Sequence, residues 1–454
     1  MTIAFDSHRE LSRESEDFAR FLREQPFTPG PLVPGRTMPH LHDWKVDQPV
    51  PLLVGTPFLD RLEEATRIAG RLIIEMPLRL VRASPELAVK FWGLTDVATA
   101  MKVLDVPARY EDEVYRLDLM YGDDGFKVLE ANMGAGASGF YAQAWLPIYL
   151  NTPVTAEFIQ RNGLTLRCKD TVRYLFDHVA RICLRQHEVA GGGRAGLAML
   201  VNRQYREFAD TYVARWFAEA AQALGIDGVT CTIVDESELS YEPDGVSCNG
   251  VPIHVLVRND GHGVSQKAFA ACAAGHLVAF DGPTSFFSGD KRAFALLTSL
   301  RDDAWFTADE IVAADALVPW TSLMLPGPVR FEGQEHDLRE LALRERERFV
   351  LKPARDYGGR GVVLGRYSDA ASWQAHIDAT LGDHKWLLQQ CASSKPYVFH
   401  HPQTGFSEHD VVWGAFIVGG TPAGGTVRMK PRALTDGVIN VGRAGQEGLI
   451  CLHD

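Results

Sequence analysis

Residues Arg116 to Asn132 read Arg-Leu-Asp-Leu-Met-Tyr-Gly-Asp-Asp-Gly-Phe-Lys-Val-Leu-Glu-Ala-Asn. Two alternating runs, 116–121 and 126–132, flank Gly122-Asp123-Asp124-Gly125, and that tetrad supplies the residues a tight turn requires. A β-hairpin is therefore predicted. Side chains two apart on a strand share a face, so Arg116 falls with Asp118, and Glu130 falls with Asn132. If the hairpin sets these faces together, two carboxylates, an amide and a guanidinium converge. Hard oxygen donors in that number suit Mg²⁺ held partly by protein and partly by phosphates. The rest of the chain must then bring the phosphates.

A chain of 454 residues accommodates two or three domains with substantial cores. Its apolar fraction of 46% and charged fraction of 23% are ordinary globular values, so α/β or α+β architecture is open to it. A net charge of −12 without any Lys/Arg-rich run argues against nucleic acid as a partner. The seven cysteines (168, 183, 231, 248, 272, 391 and 451) are scattered, odd in number and without C-x-x-C spacing. A reducing, cytoplasmic setting is the simpler expectation than a disulfide framework. Residues 1–25 are polar and unlike a signal peptide, and no apolar run reaches the ~18–20 residues of a membrane span. No membrane partner is expected.

In chain order, prolines at 26, 29, 31, 34 and 39 break up residues 1–50, which read as an arm over another domain. Helices are predicted over 58–80 and 85–101, and a longer one over 165–188. From Gly196 strands and helices alternate: strands at 197–201, 229–234, 254–257 and 276–280, helices at 208–224 and 265–274. That alternation implies a parallel open sheet. Beyond Pro283, helices are expected at 290–300 (with Lys291 in its first turn), 308–316, 335–347 and 368–381. Strands are expected at 349–352 and 386–391, and 411–419 pairs with 426–430. The division is an N-terminal arm and helical region (1–105), a segment with the hairpin and long helix (106–193), an open-sheet unit (194–286) and a C-terminal unit (287–454).

Lys352 ends the apolar strand Phe349-Val350-Leu351 and precedes the loop Arg355-Asp356-Tyr357-Gly358-Gly359-Arg360-Gly361. Glycines let backbone N–H groups approach phosphate, and the ammonium neutralises it. The loop is not a P-loop, because no G-x-x-x-x-G-K-[ST] occurs in the chain. Trp386-Leu387-Leu388-Gln389-Gln390-Cys391 is either a buried strand or one whose backbone edge reads an adenine. His400, His401 and His409 lie in a stretch read as a polar, solvent-exposed loop.

These segments together resemble the ATP-grasp ligases. Phe-Val-Leu-Lys-Pro followed by Gly-Gly-Arg-Gly-Val is similar to their phosphate-gripping strand and lid, and Leu-Leu-Gln-Gln to their adenine hinge. Here Glu130-x-Asn132 precedes the hinge by more than 200 residues. That order is similar to the circularly permuted branch typified by glutathionylspermidine synthase. Ser288–Leu297 resembles that branch's Asn-Lys helix with Asp290 in place of the usual Asn, and Gly425–Arg428 resembles the strand whose arginine meets the reacting phosphate. The resemblance implies ATP and Mg²⁺ as cofactors, with Asp118, Glu130 and Asn132 holding the metal. It implies Arg116 and Arg428 as the charge-stabilising catalytic residues. Lys291, Lys352, Gly358, Gly359, Gly361, Gln389 and Gln390 would bind the nucleotide. The reaction it implies activates a carboxylate as an acyl-phosphate, which an amine attacks to form an amide.

Small-molecule carboxylate and amine substrates are thus expected. At the carboxyl ends of the open sheet, where ligands bind in such folds, Asn202, Arg203, Arg258 and Asp260 are candidate substrate residues, and so is Ser138 in the glycine-rich loop beside the metal. Three other readings compete. One is acylation of a carrier-protein thiol. Another is a catalytically silent nucleotide-binding module. The last is an NAD(P)-dependent oxidoreductase, because Gly134-Ala-Gly136-Ala-Ser-Gly139 matches G-x-G-x-x-G after a strand, with Glu157 about 20 residues on.

Overall fold

The computed structural model describes residues 5–25, 48, 50–94, 96–106, 110–134, 139, 142–189, 195–201, 206–259, 265–280, 282, 284–299, 305–356, 358–443 and 445–454. Asn202, Arg203, Asp260 and Ser138 lie outside these, as does most of the proline-rich arm. Among the described residues, no helix is long and apolar enough to cross a membrane.

The hairpin forms as Val114–Gly122 and Gly125–Met133, with Asp123-Asp124 at its tip. It is built into a larger sheet. In order the strands are Leu52–Val54, Gln446–His453, Thr421–Pro431, Gly405–Val418, Val114–Gly122 and Gly125–Met133. Tyr397–His401 pairs with the start of Gly405–Val418, and Leu166–Arg167 with the end of Gln446–His453. Every pairing is antiparallel except Leu52–Val54, which runs parallel to Gln446–His453. Alternation gives the sheet two unlike faces. Leu117, Leu119, Trp413, Ile417, Val427 and Met429 point to one and are buried. The long helix Thr56–Ala83 covers that face with Phe58, Leu62, Ala69, Leu72 and Ile73. Each of the leucine, isoleucine and phenylalanine side chains among these, fully buried, contributes about 1.5–3 kcal/mol. Helix and sheet meet closely at Gly70, where a Cβ would come within 2.1 Å of the Tyr115 hydroxyl.

The open sheet is parallel as expected, in the order Val278–Phe280, Val255–Asn259, Ala195–Val201, Val229–Val234. Helices Thr171–Val189 and Ala214–Ala223 cover Leu197 and Met199 on one side, while Gln266–Ala273 covers Ala198 and Leu200 on the other. A parallel sheet needs both faces covered in this way. A third, antiparallel sheet orders Thr321–Leu323, Trp386–Gln390, Phe349–Pro353 and Val363–Leu364. Helices Leu338–Arg344 and Ala370–Thr380 pack on it through Leu341, Trp373 and Ile377.

Three sequence expectations are corrected. Residues 334–337 are a strand paired with Pro328–Phe331, and the helix starts only at Leu338, capped by Asp337. Lys291 sits in the turn before the helix Arg292–Ser299 rather than in its first turn. His401 and His409 are not in an exposed loop. They lie in strands, two residues from the buried Phe399 and Val411 respectively, which places both on the buried face. Burial pushes the His409 imidazole down to about 4. The strand before Gly134 is, as the predicted hairpin requires, an antiparallel edge strand. The parallel strand that a dinucleotide fingerprint must follow is absent there, which removes the basis for the oxidoreductase reading.

Candidate active site

The site begins with the polar face of the hairpin. Arg116 lies directly across from Asn132, and Asp118 across from Glu130, so all four share one face. Immediately after Asp118 the register slips, with Leu119 opposite Val128, and the bulge leaves Leu129 as the extra residue. Asp118 is the hub. Its carboxylate accepts from Arg116 Nε at 2.8 Å, Arg116 Nη2 at 3.2 Å, Asn132 Nδ2 at 3.2 Å and Arg428 Nη2 from two strands away. Burial alone would raise its pKa. The two guanidiniums outweigh that and hold it at about 2.

Arg428 reaches Asp118 because Gly414 lies between them in the sheet. Gly414 pairs with Asp118 on one side and Thr426 on the other, and a Cβ there would meet Arg116 Cδ at 3.1 Å and Thr426 Oγ1 at 3.2 Å. Glu130 is engaged by Lys291, whose ammonium lies 2.9 Å from Glu130 Oε1 and donates to the Asp356 carbonyl at 2.6 Å. Lys352 donates to Gln389 Oε1 at 2.6 Å and to the Leu129 carbonyl at 3.4 Å. Burial lowers the Lys352 pKa to about 8, the nearby Lys291 also lowering it and Glu130 opposing.

These groups line one cleft between the third sheet and the polar face of the large one. Asp118, Glu130, Lys291, Lys352, Gly359, Gln389, Gln390 and Arg428 reach its wall. Arg116 and Asn132 stand behind Asp118. Gly358 and Gly361 do not line the cleft, but with Gly359 they have positive φ and so give the loop its shape. Arg258 lies elsewhere, buried at the end of its strand with Glu236 3.4 Å away. Apolar side chains, including Met120, Leu129, Val350, Val412 and Ile439, form much of the remaining wall.

The sequence reading of the hinge is refined. Trp386–Gln390 is an inner strand, flanked by Thr321–Leu323 and Phe349–Pro353, so its backbone is already paired. The cleft-lining stretch beyond the strand is Cys391–Ala392. One wall escaped sequence reasoning altogether: Gly437, Val438, Ile439 and Asn440. A Cβ on Gly359 would come within 2.5 Å of Val438 Cγ1, so this segment and the glycine-rich loop abut. The available signal was Asp436-Gly437, a turn dipeptide after the arginine strand.

The charge pattern is local. Lys291, Lys352, Arg360 and Arg428 line the cleft against Asp118, Glu130 and Asp356, with Arg116 directly behind. A chain of net charge −12 thus carries a positive pocket. Among the described residues no three His, Cys, Asp or Glu side chains cluster as a complete metal cage. The hard oxygen donors that face the cleft are the Asp118 and Glu130 carboxylates, with the Asn132 amide behind Asp118, and such donors suit a cation that brings its remaining ligands with it.

No family model and no curated relative matches the sequence. The solved structure of a glutathione synthetase-like effector from Globodera pallida, in its apo form, is similar over 99% of this chain and 100% of that one. The TM-score is 0.57 and the identity 10%. The two chains share a fold. At that identity the likeness speaks to the fold alone. A putative gamma-glutamylcysteine synthetase from Methylobacillus flagellatus matches over 81% of this chain and 84% of that one, with a TM-score of 0.37 and 11% identity.

Proposed function

We propose that this protein is an ATP-dependent ligase that joins a small-molecule carboxylate to an amine, forming a peptide-like amide through an acyl-phosphate and releasing ADP and phosphate. The observation that carries the reading is convergence. Four segments far apart in sequence (the hairpin, Lys291, the Lys352 strand with its glycine loop, and the Arg428 strand) meet in one cleft with positive charge in excess. Polyphosphate is the ligand such a cleft suits. The shared fold with a protein described as glutathione synthetase-like agrees with an amide-forming reaction. The pairing of residues 114–119 with residues 413–418 supports an ATP-grasp in permuted order.

In this reading Lys291 and Lys352 bind the phosphates, and Gly358–Gly361 closes over them with backbone N–H groups. Cys391–Ala392, with Met120, Leu129 and Ile439, receives the adenine. Asp118, Glu130 and the Asn132 amide would hold Mg²⁺, which neutralises charge between the phosphates when bound. Arg428 and Arg116 stabilise charge on the transferring phosphoryl group, so that a poor carboxylate electrophile becomes a mixed anhydride the amine can attack. No enzyme nucleophile is needed.

The test is ADP and phosphate release from pools of carboxylates and amines. Turnover is expected to require both an acid and an amine, and Glu130→Ala combined with Asn132→Ala is expected to lower it at least a hundredfold. Undiminished turnover in that double variant would sink the metal assignment. Absence of ADP release with every pool, despite Mg·ATP binding, would favour the silent nucleotide-binding module.

A further inference from the structure

Of Arg116, Arg428, Lys291 and Lys352, the four cations that meet the polar face of the hairpin, two are already matched to Asp118 and one to Glu130. Of these four, Lys352 is the one whose hydrogen-bond partners, Gln389 Oε1 and the Leu129 carbonyl, carry no charge. Gln389 is 3% exposed, and its amide is oriented by a relay. The Thr321 hydroxyl donates to the Pro319 carbonyl at 2.8 Å, so its oxygen accepts from Gln389 Nε2 at 3.0 Å. That leaves Gln389 Oε1, not Nε2, facing Lys352. The arrangement is held across two strands, because Thr321 pairs with Gln389 in the register of the third sheet.

We infer that Gln389 is a positioning residue for Lys352, with Thr321 setting the sense of its amide, rather than a reader of the adenine. An amide oxygen aims the ammonium into the cleft without cancelling its charge. A carboxylate at the same place would hold it as well but neutralise it, and an arriving phosphate would have to break an ion pair. The inference rests on the nucleotide reading above. The charged and titratable groups that face Lys352 are Glu130 and Asp118 from the hairpin, Lys291 from the turn before Arg292–Ser299, and Cys391 beyond the hinge strand.

The experiment is calorimetric titration with Mg·ATP between pH 7 and 9.5 on wild type, Gln389→Glu and Thr321→Val, with the melting midpoint of each measured without nucleotide. Wild type is expected to bind, with affinity declining as pH rises past about 8, where Lys352 loses its proton. Gln389→Glu is expected to bind about tenfold more weakly at pH 7, with the decline moved to higher pH, because one charge pair is worth about one pK unit or more. Thr321→Val adds no charge and so carries the test even if a buried carboxylate unfolds the strand. It is expected to weaken binding about threefold, on the order of one neutral hydrogen bond, with a melting midpoint lowered by a few degrees but a single cooperative transition kept. Wild-type affinity and pH profile in both variants would overturn the positioning role while leaving the nucleotide reading intact. Wild type that binds no Mg·ATP would overturn both.

Discussion

Asp118 carries more of the site than any other side chain, because two buried guanidiniums and the Asn132 amide all depend on it. Breaking a buried ion pair from one side strands the partner charge and costs roughly 3–5 kcal/mol. Asp118→Asn is therefore expected to lower folding stability by about that amount in urea titration, and to abolish turnover. The pH dependence follows from the sign of the shift. A carboxyl held at about 2 when folded, and near its ordinary value when unfolded, binds fewer protons in the native state. Its contribution is full above about pH 4 and is lost as pH falls towards 2. Wild type should show that extra acid sensitivity between pH 4 and 2, and Asp118→Asn should not.

At the scale of elements, the glycine-rich loop and the Gly437–Asn440 wall close one side of the cleft together. Gly358 and Gly359 both have φ near +70°, which costs an L side chain roughly 1–2 kcal/mol. Around Gly358 there is open space, whereas a Cβ on Gly359 presses on Val438. Gly358→Ala is expected to weaken Mg·ATP binding roughly five- to thirtyfold, as that strain implies. Gly359→Ala should weaken it further, and Val438→Ala should recover part of the difference in a double-mutant cycle. Equal effects of the two alanines would show that the loops close independently.

Such elements differed in how plainly the sequence announced them. The hairpin was legible because its turn residues and period-two alternation agree, and so were the parallel strands, whose apolar runs are flanked by helices. Tyr397–His401 was not legible, since histidines read as polar until neighbouring strands bury them. Leu52–Val54 and Gln446–His453 were missed for a related reason. A short strand owes its state to partners elsewhere in the chain, and local pattern cannot supply them. At the site, the four hairpin side chains were recovered together. The Gln389 relay was beyond reach, because Thr321 lies 68 residues away and meets it only through strand register.

At the scale of the whole molecule, one sheet is closed by strands drawn from far apart in the sequence. Gln446–His453 lies inside the large sheet, between Thr421–Pro431 and Leu52–Val54. Removing residues 446–454 would open an edge on both neighbours and expose Leu449, Ile450 and Cys451's surroundings. That truncation is expected to abolish cooperative unfolding by circular dichroism. A chain that still melted in a single sharp transition would contradict the sheet order.

The hairpin's placement beside Gly405–Val418 has a consequence for synthesis. Almost 300 residues separate the two strands, so at ordinary elongation rates roughly 15–60 s pass before the hairpin's partner exists. Through that interval the apolar side of the hairpin, with Leu117, Leu119 and Val128, has no sheet to join. Helix Thr56–Ala83, made earlier and packed on that same side in the finished protein, can shelter it while the ribosome works.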